Sequence, residues 1–307
     1  MKVAFVFPGQ ASQYVGMGKD LYEGNSLVKE IYDRAEEILG FELKKICFEG
    51  PEELLKQTKI TQPAIFVHSY VVSKLLDGKL KADMTAGHSL GEYSALVYAD
   101  ALDFETALMI VKVRGELMQK AGEQNPGTMA AIIGLDDEKV RKICDEVKDG
   151  IVQPANFNAI GQVVISGEVG AVKMAMEIAK REGAKMVKEL VVSGAFHSPL
   201  MESAKEELKK ILDEVEFRKP KIPVYFNVTA KPTFEVEEIK DLLYHQITKP
   251  VLWTQTILNM RSDGAVKFYE IGPGKVLQGL IKRTLDDVEV AGFDKLSDIQ
   301  NLKDELV

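Results

Sequence analysis

The chain opens on a short apolar run, Lys2 to Phe7, stopped by Pro8-Gly9, a pattern that predicts a buried strand feeding a tight loop. From Gln62 onward, Ile65, His68, Val72, Leu75 and Leu76 recur at helical spacing, and Pro63 is expected in the first turn of that helix. Residues 82–99 predict a strand, a sharp turn and a helix: Ala82, Met84 and Ala86 alternate into Gly87, and the residues after Gly91 take the helical period. Residues 103–120 read as another amphipathic helix, and Gly122, Asn125, Pro126 and Gly127 then mark a boundary.

Beyond that boundary the pattern predicts a strand (129–133), a helix (137–147), two strands (151–156 and 162–166), a helix (170–182) and a strand (185–192). The order β-α-β-β-α-β predicts a complete ferredoxin-like unit. It is expected to span 126–196 and to interrupt a larger α/β domain made of 1–125 and 197–307. The larger domain resumes with a charge-rich helix (198–215), a strand-like stretch (224–228) and a late strand (266–271) ending at Gly272-Pro273-Gly274.

Composition narrows the classes. At 307 residues, 46% hydrophobic and 28% charged, the chain has length for about two domains. Its 39 basic and 47 acidic side chains leave a charge of −8, which argues against nucleic acid and anionic lipid as partners. No stretch approaches the ~18 apolar residues that span a bilayer. A cytoplasmic protein is expected, with Cys47 and Cys144 as small core residues in a reducing compartment. The histidines and cysteines show no metal-ligand spacing, so no metal is expected.

Gly87-His88-Ser89-Leu90-Gly91 fits G-x-S-x-G, in which flanking glycines allow a strained strand-to-helix turn that exposes the serine hydroxyl. Ser89 is the candidate nucleophile, and the Leu90 amide, at a helix N-terminus, is a candidate oxyanion donor; the plainer alternative is a serine that caps the helix. A serine needs a base. Of the four histidines, His68 falls on an apolar stripe, His88 points away from its serine neighbour by alternation, and His245 carries no local signal. His197 follows the last small-domain strand, where the chain re-enters the larger domain and clefts form. The Pro8-Gly9-Gln10 turn offers the amide of Gln10 as a second oxyanion donor. Ala107, Val111, Arg114 and Met118 share one helical stripe, so Arg114 is expected to be buried and to need an anion. That anion is either an internal carboxylate or a carboxylate on the substrate.

Phe7-Pro8-Gly9-Gln10-Ala11-Ser12-Gln13, Thr61-Gln62-Pro63-Ala64, Gly87-His88-Ser89-Leu90-Gly91-Glu92, Arg114, Ala195-Phe196-His197-Ser198-Pro199 and Glu270-Ile271-Gly272-Pro273-Gly274 follow one another along the chain. Together they resemble the malonyl-CoA:acyl carrier protein transacylase family of bacterial fatty acid synthesis, from end to end. The resemblance implies an α/β-hydrolase-like main domain with the ferredoxin-like unit as a lid. It implies a ping-pong acyltransferase that moves malonyl from malonyl-CoA to Ser89 and then to the phosphopantetheine thiol of acyl carrier protein. His197 would be the acid and base, oriented by the backbone carbonyl of Gln246. Gln10 and Leu90 would form the oxyanion hole. Arg114 would pair with the free malonyl carboxylate, assisted by Gln62, and Phe196 would favour malonyl over methylmalonyl. Asn158 would lie on a loop, residues 156–162, at the thioester entrance, with Ile160 where many relatives have proline. Coenzyme A would enter as substrate, with no separate cofactor, and a monomer is expected. A serine thioesterase or hydrolase of the same fold is the competing reading, and Arg114 discriminates against it, because a lipase-like pocket has no use for a buried cation.

Overall fold

A computed structural model describes residues 1–305. The first strand, β1 (Lys2–Phe7), lies at the centre of a six-stranded sheet with β2 (Met84–Gly87) on one side. The next four strands, β3 (Gly127–Ile133), β4 (Val152–Ala159), β5 (Gln162–Glu168) and β6 (Met186–Glu189), form a separate four-stranded sheet. The chain then returns to the larger sheet with β7 (Val224–Tyr225), β8 (Pro232–Thr233), β9 (Ala265–Ile271) and β10 (Glu289–Phe293). The larger sheet has the order β10-β9-β1-β2-β7-β8. Its pairings are parallel except for the terminal β7–β8 pair.

Because helices cover both faces, the central strand is apolar on both sides, as parallel sheets require. Phe5 and Phe7 pack on one face into the core that contains Ala64, Phe66, Leu96 and Leu108. Ala4 and Val6 pack on the other, against Trp253, Ile257 and Ile281. Each fully buried Phe or Val contributes about 1.5–3 kcal/mol.

The smaller sheet is antiparallel, with order β4-β5-β3-β6. Its β-α-β-β-α-β succession is completed by the helices Asp137–Glu146 and Val169–Arg181. Ala130, Ile132, Val163 and Ile165 bury one face against those helices. Met129 and Val164, on the opposite face, look into a cleft shared with the larger sheet.

Several sequence expectations are corrected. The helix carrying Gln62 begins at Thr58, so Pro63 lies inside it and not in its first turn. Residues 156–159 belong to β4 and only Ile160-Gly161 turn into β5, so Asn158 sits on a strand and not on a loop. Strand pairing takes up these residues because β4 continues opposite β5 as far as the Ala159↔Gln162 pair. The stretch 224–228 reduces to two strand residues, Val224–Tyr225, and the helix expected over 198–215 starts as a 3-10 turn, Pro199–Met201. Cys47 and Cys144 are free and buried. Among the described residues, no helix is long and apolar enough to cross a membrane.

Candidate active site

Parallel pairing sets β1 and β2 side by side, with Phe7 opposite Gly87, so the turns that follow them emerge together. The two glycines of the serine turn are required by contact. A Cβ on Gly87 would stand 1.8 Å from the carbonyl carbon of Gly91, and one on Gly91 would stand 2.1 Å from the Phe7 oxygen. Ser89 between them adopts φ 51°, a conformation L-residues resist by about 1–3 kcal/mol. Asn227, just after β7, holds it there: its Oδ1 accepts from the Ser89 amide at 2.7 Å and its Nδ2 donates to the Gly87 carbonyl at 2.6 Å.

The serine hydroxyl meets His197 Nε2 at 2.9 Å. On the far side of the imidazole, Nδ1 lies 2.7 Å from the main-chain oxygen of Gln246. A carbonyl only accepts, so Nδ1 carries the proton and Nε2 presents its lone pair to Ser89. His197 also has a positive φ, 55°, and its own carbonyl is held by Gln153 Nε2 at 2.8 Å. Burial, reinforced by the nearby Arg114 charge, lowers the imidazole from 6.5 to about 3. The ring is therefore neutral at physiological pH and available as a base.

Arg114, from the helix Phe104–Gln124, is 1% exposed. Its hydrogen-bond partners are all neutral. Nη1 donates to Gln62 Oε1 at 2.6 Å, and Nη2 donates to Gln246 Oε1 at 2.8 Å and to Ser89 Oγ at 3.1 Å. Nε has no partner, and the guanidinium carbon stands 5.8 Å from the centre of the Tyr93 ring. Of the five N–H groups of an arginine, one on Nε and one on Nη1 make no hydrogen bond of ordinary geometry, although the nearby Tyr93 hydroxyl supports the charge. The internal carboxylate allowed by the sequence is not in contact with this cation. The nearest candidate, Glu92, lies behind Gln246 and accepts from Gln246 Nε2 at 2.6 Å.

These groups open into a cleft of about 200 Å³. Gln10, Gln62, Ser89, Leu90, Arg114, Phe196 and His197 line it on the larger-sheet side, and Met129, Val164, Leu190 and Val192 face them. The amides of Leu90 and Gln10 lie on the two adjoining turns, and among the described residues neither donates to a protein carbonyl outside a helix or strand. Phe196 is buried at 6% exposure on the cleft wall. Asn158 also reaches the cleft, but its Oδ1 is occupied at 2.8 Å by Nε2 of His88. His68, far from these residues in its contacts, is buried against Asp294. The structure brings Ser89, His197, Arg114, Gln62 and Gln246 into one hydrogen-bonded group, joined by Asn227, Glu92 and Gln153, which are not among the residues expected from sequence. Glu92 had a signal: a lone charge in the otherwise uncharged run from Ser89 to Tyr98, as anomalous as Arg114 on its stripe.

A serine hydroxyl against a neutral imidazole in a cleft is the arrangement of a nucleophile and its base. Residues 4–302 match the model of the acyl transferase domain family. The chain belongs to the acyl transferase family. This acyl transferase is 44% identical over 311 aligned residues to the malonyl CoA-acyl carrier protein transacylase of Bacillus subtilis, covering 99% of this chain and 98% of that protein. It is 41% identical to the protein of the same name from Haemophilus influenzae, covering 100% and 99%. Among solved structures, a malonyl-transacylase in complex with its type II PKS acyl-carrier protein superposes with a TM-score of 0.96 at 40% identity, covering 99% of this chain and 100% of that one. An acyl carrier protein S-malonyltransferase from Vibrio cholerae superposes at 0.94 with 42% identity, covering 98% and 100%.

Proposed function

We propose that this acyl transferase moves a malonyl group from malonyl-CoA to the phosphopantetheine thiol of acyl carrier protein through a malonyl ester on Ser89. The observation that carries the substrate assignment is Arg114: a buried cation with only neutral partners, two N–H groups that make no ordinary hydrogen bond and a third on the nucleophile. A buried charge so placed calls for a mobile anion. A malonyl group supplies one two bonds from the carbonyl under attack. The full-length likeness to malonyl transacylases supports the same substrate.

In the first half-reaction Ser89 Oγ attacks the thioester carbonyl while His197 Nε2 takes the hydroxyl proton. The amides of Leu90 and Gln10 receive the oxyanion. The carbon–sulfur bond then breaks, and His197 returns its proton to the departing coenzyme A sulfur. The second half-reaction runs the same steps backward with the carrier thiol, which yields malonyl carrier protein and free Ser89. Coenzyme A is substrate and the steps as written require no cofactor. As Ser89 Oγ becomes an ester oxygen, the N–H of Arg114 Nη2 that it held is released. That N–H and the spare one on Nη1 form a fork for the malonyl carboxylate.

We read the larger sheet with its helices as an α/β-hydrolase-like domain, residues 1–125 and 197–307, and residues 126–196 as a ferredoxin-like insert that roofs the cleft. The local order 4-1-3-2 of the insert's strands supports that reading. Phe196 narrows the acyl pocket against a branching methyl, and Asn158 steadies the entrance through His88. One chain supplies every group invoked, which supports a monomer; the free, buried Cys47 and Cys144 fit a reducing, cytoplasmic setting, and the net charge of −8 argues against nucleic acid or an anionic membrane as partner. The test is mass spectrometry after mixing with malonyl-CoA alone. A stable malonyl adduct on Ser89, absent in Ser89→Ala and discharged by holo acyl carrier protein, is expected; rapid release of free malonate without acceptor would instead indicate a hydrolase.

A further inference from the structure

Glu92 lies in the first turn of the helix Gly91–Tyr98, fully buried. Both of its oxygens face donors: Oε1 accepts from the main-chain N–H of Asn227, and Oε2 from Gln246 Nε2 at 2.6 Å. Burial raises its carboxyl from 4.5 to about 8 against the pull of those donors and Arg114; with a donor on each oxygen, the form that fits this geometry is the carboxylate. Gln246 Nε2 also donates to the Ser89 carbonyl at 2.9 Å. A glutamine amide has one accepting end and one donating end. With Glu92 and the Ser89 carbonyl both accepting, the NH2 is committed to them, and Oε1 is turned toward Arg114 Nη2. Reversed, the amide would set N–H against N–H at Arg114 and oxygen against two oxygens on its other side.

We propose that Glu92 is a positioning residue for recognition of the acyl group's free carboxylate: it fixes the Gln246 amide, and the amide in turn holds the Arg114 guanidinium against Ser89. The inference rests on the malonyl assignment above. Glu92 touches neither substrate nor base. Its effect runs through the side chain of Gln246, whereas His197 depends on the main-chain carbonyl of the same residue. Acyl recognition and base orientation therefore meet at Gln246 but use different atoms.

Glu92→Gln tests this with almost no change in volume. The Asn227 N–H is fixed by the backbone, so the new amide must turn its oxygen there and its NH2 toward Gln246. Gln246 then has to reverse, and donor meets donor at Arg114. The expected result is a fall in kcat/KM for malonyl-CoA of roughly tenfold or more, the consequence of leaving a buried donor unpaired. For acetyl-CoA, which has no carboxylate, the fall should be less than about threefold, since no such donor is engaged. Gln246→Leu removes the amide and keeps the carbonyl, so it should lose malonyl preference in the same direction. If Glu92→Gln gives no folded protein, Gln246→Leu alone decides. A purely structural role would lower both substrates together through loss of folded enzyme. Equal falls for the two thioesters, or an unchanged ratio in folded variant, overturn the inference and leave the malonyl assignment standing. A wild-type enzyme that forms no malonyl adduct refutes that assignment instead, and the inference with it.

Discussion

Replacing Arg114 by alanine separates the recognition of the acyl tail from the chemistry at its carbonyl. In the wild type the malonyl carboxylate is expected to take two charge-assisted hydrogen bonds from Nη1 and Nη2, in a cleft where Arg114 is 1% exposed. Without the guanidinium the same carboxylate would face the side-chain oxygens of Gln62 and Gln246, which now accept from Arg114. Stranding one partner of a buried ion pair costs about 3–5 kcal/mol, and the lower end suits a cleft open to solvent. That corresponds to a loss of roughly two decades or more in kcat/KM for malonyl-CoA. Acetyl-CoA has no such anion to strand. It forfeits the 3.1 Å contact from Nη2 to Ser89 Oγ, worth about 1 kcal/mol. Against that, removing the cation relieves one of the causes that depress His197. Acetyl transfer should therefore stay within roughly tenfold of wild type. The assay is the pair of kcat/KM values measured on one preparation, with acetyl transfer as the internal check on folded enzyme. Arg114→Lys should fall between, since an ammonium keeps charge but loses the fork. Equal losses on the two thioesters would refute the role assigned to this residue.

Two further outcomes follow from the same geometry. His197 acts as a base only when unprotonated, and its lowering to about 3 keeps it so under mild acid. The kcat/KM profile for acetyl-CoA, whose acyl group does not depend on the Glu92–Gln246–Arg114 contacts, should be level from about pH 8 to about pH 5 and decline only below, and an acid limb at the ordinary imidazole value of 6.5 would contradict the buried, cation-flanked setting. Phe196→Ala should raise the ratio of methylmalonyl to malonyl transfer by the roughly 1–3 kcal/mol typical of steric exclusion in a pocket; competition between the two thioesters measures it, and an unchanged ratio would show that another wall sets the limit.

Much of the architecture was legible because the two periods are clean. β1 is an uninterrupted apolar run between Lys2 and Pro8, and the insert alternates strands and helices with glycine or proline at its joints. The helix start at Thr58 was hidden because Thr58, Lys59 and Thr61 carry little helical signal of their own. Thr58 and Thr61 are buried in a helix that packs on Phe104–Gln124, and such tertiary context overrides propensity. The strand Pro232–Thr233 offers too few residues for alternation to register, and Val224–Tyr225 is only the start of the strand-like stretch 224–228. Within the site, Ser89, His197 and Arg114 each violate a local rule: a strained turn, a polar residue at a junction, a charge on an apolar stripe. Asn227 violates none that a sequence displays, because its role is to bond Ser89 and Gly87, more than a hundred residues away. Gln246 was nominated for its carbonyl, and its side chain proved equally engaged.

The imidazole of this enzyme leans on an amide oxygen, not on an anion, and a guanidinium stands beside it. An imidazolium formed there gains little support, so the group is a reluctant proton acceptor. Water is a far weaker acid than a thiol, so deprotonating it asks far more of such a base. On the mechanism proposed, an ester on Ser89 would outlast exposure to water and yield to a sulfhydryl, which is the difference between a courier and a hydrolase.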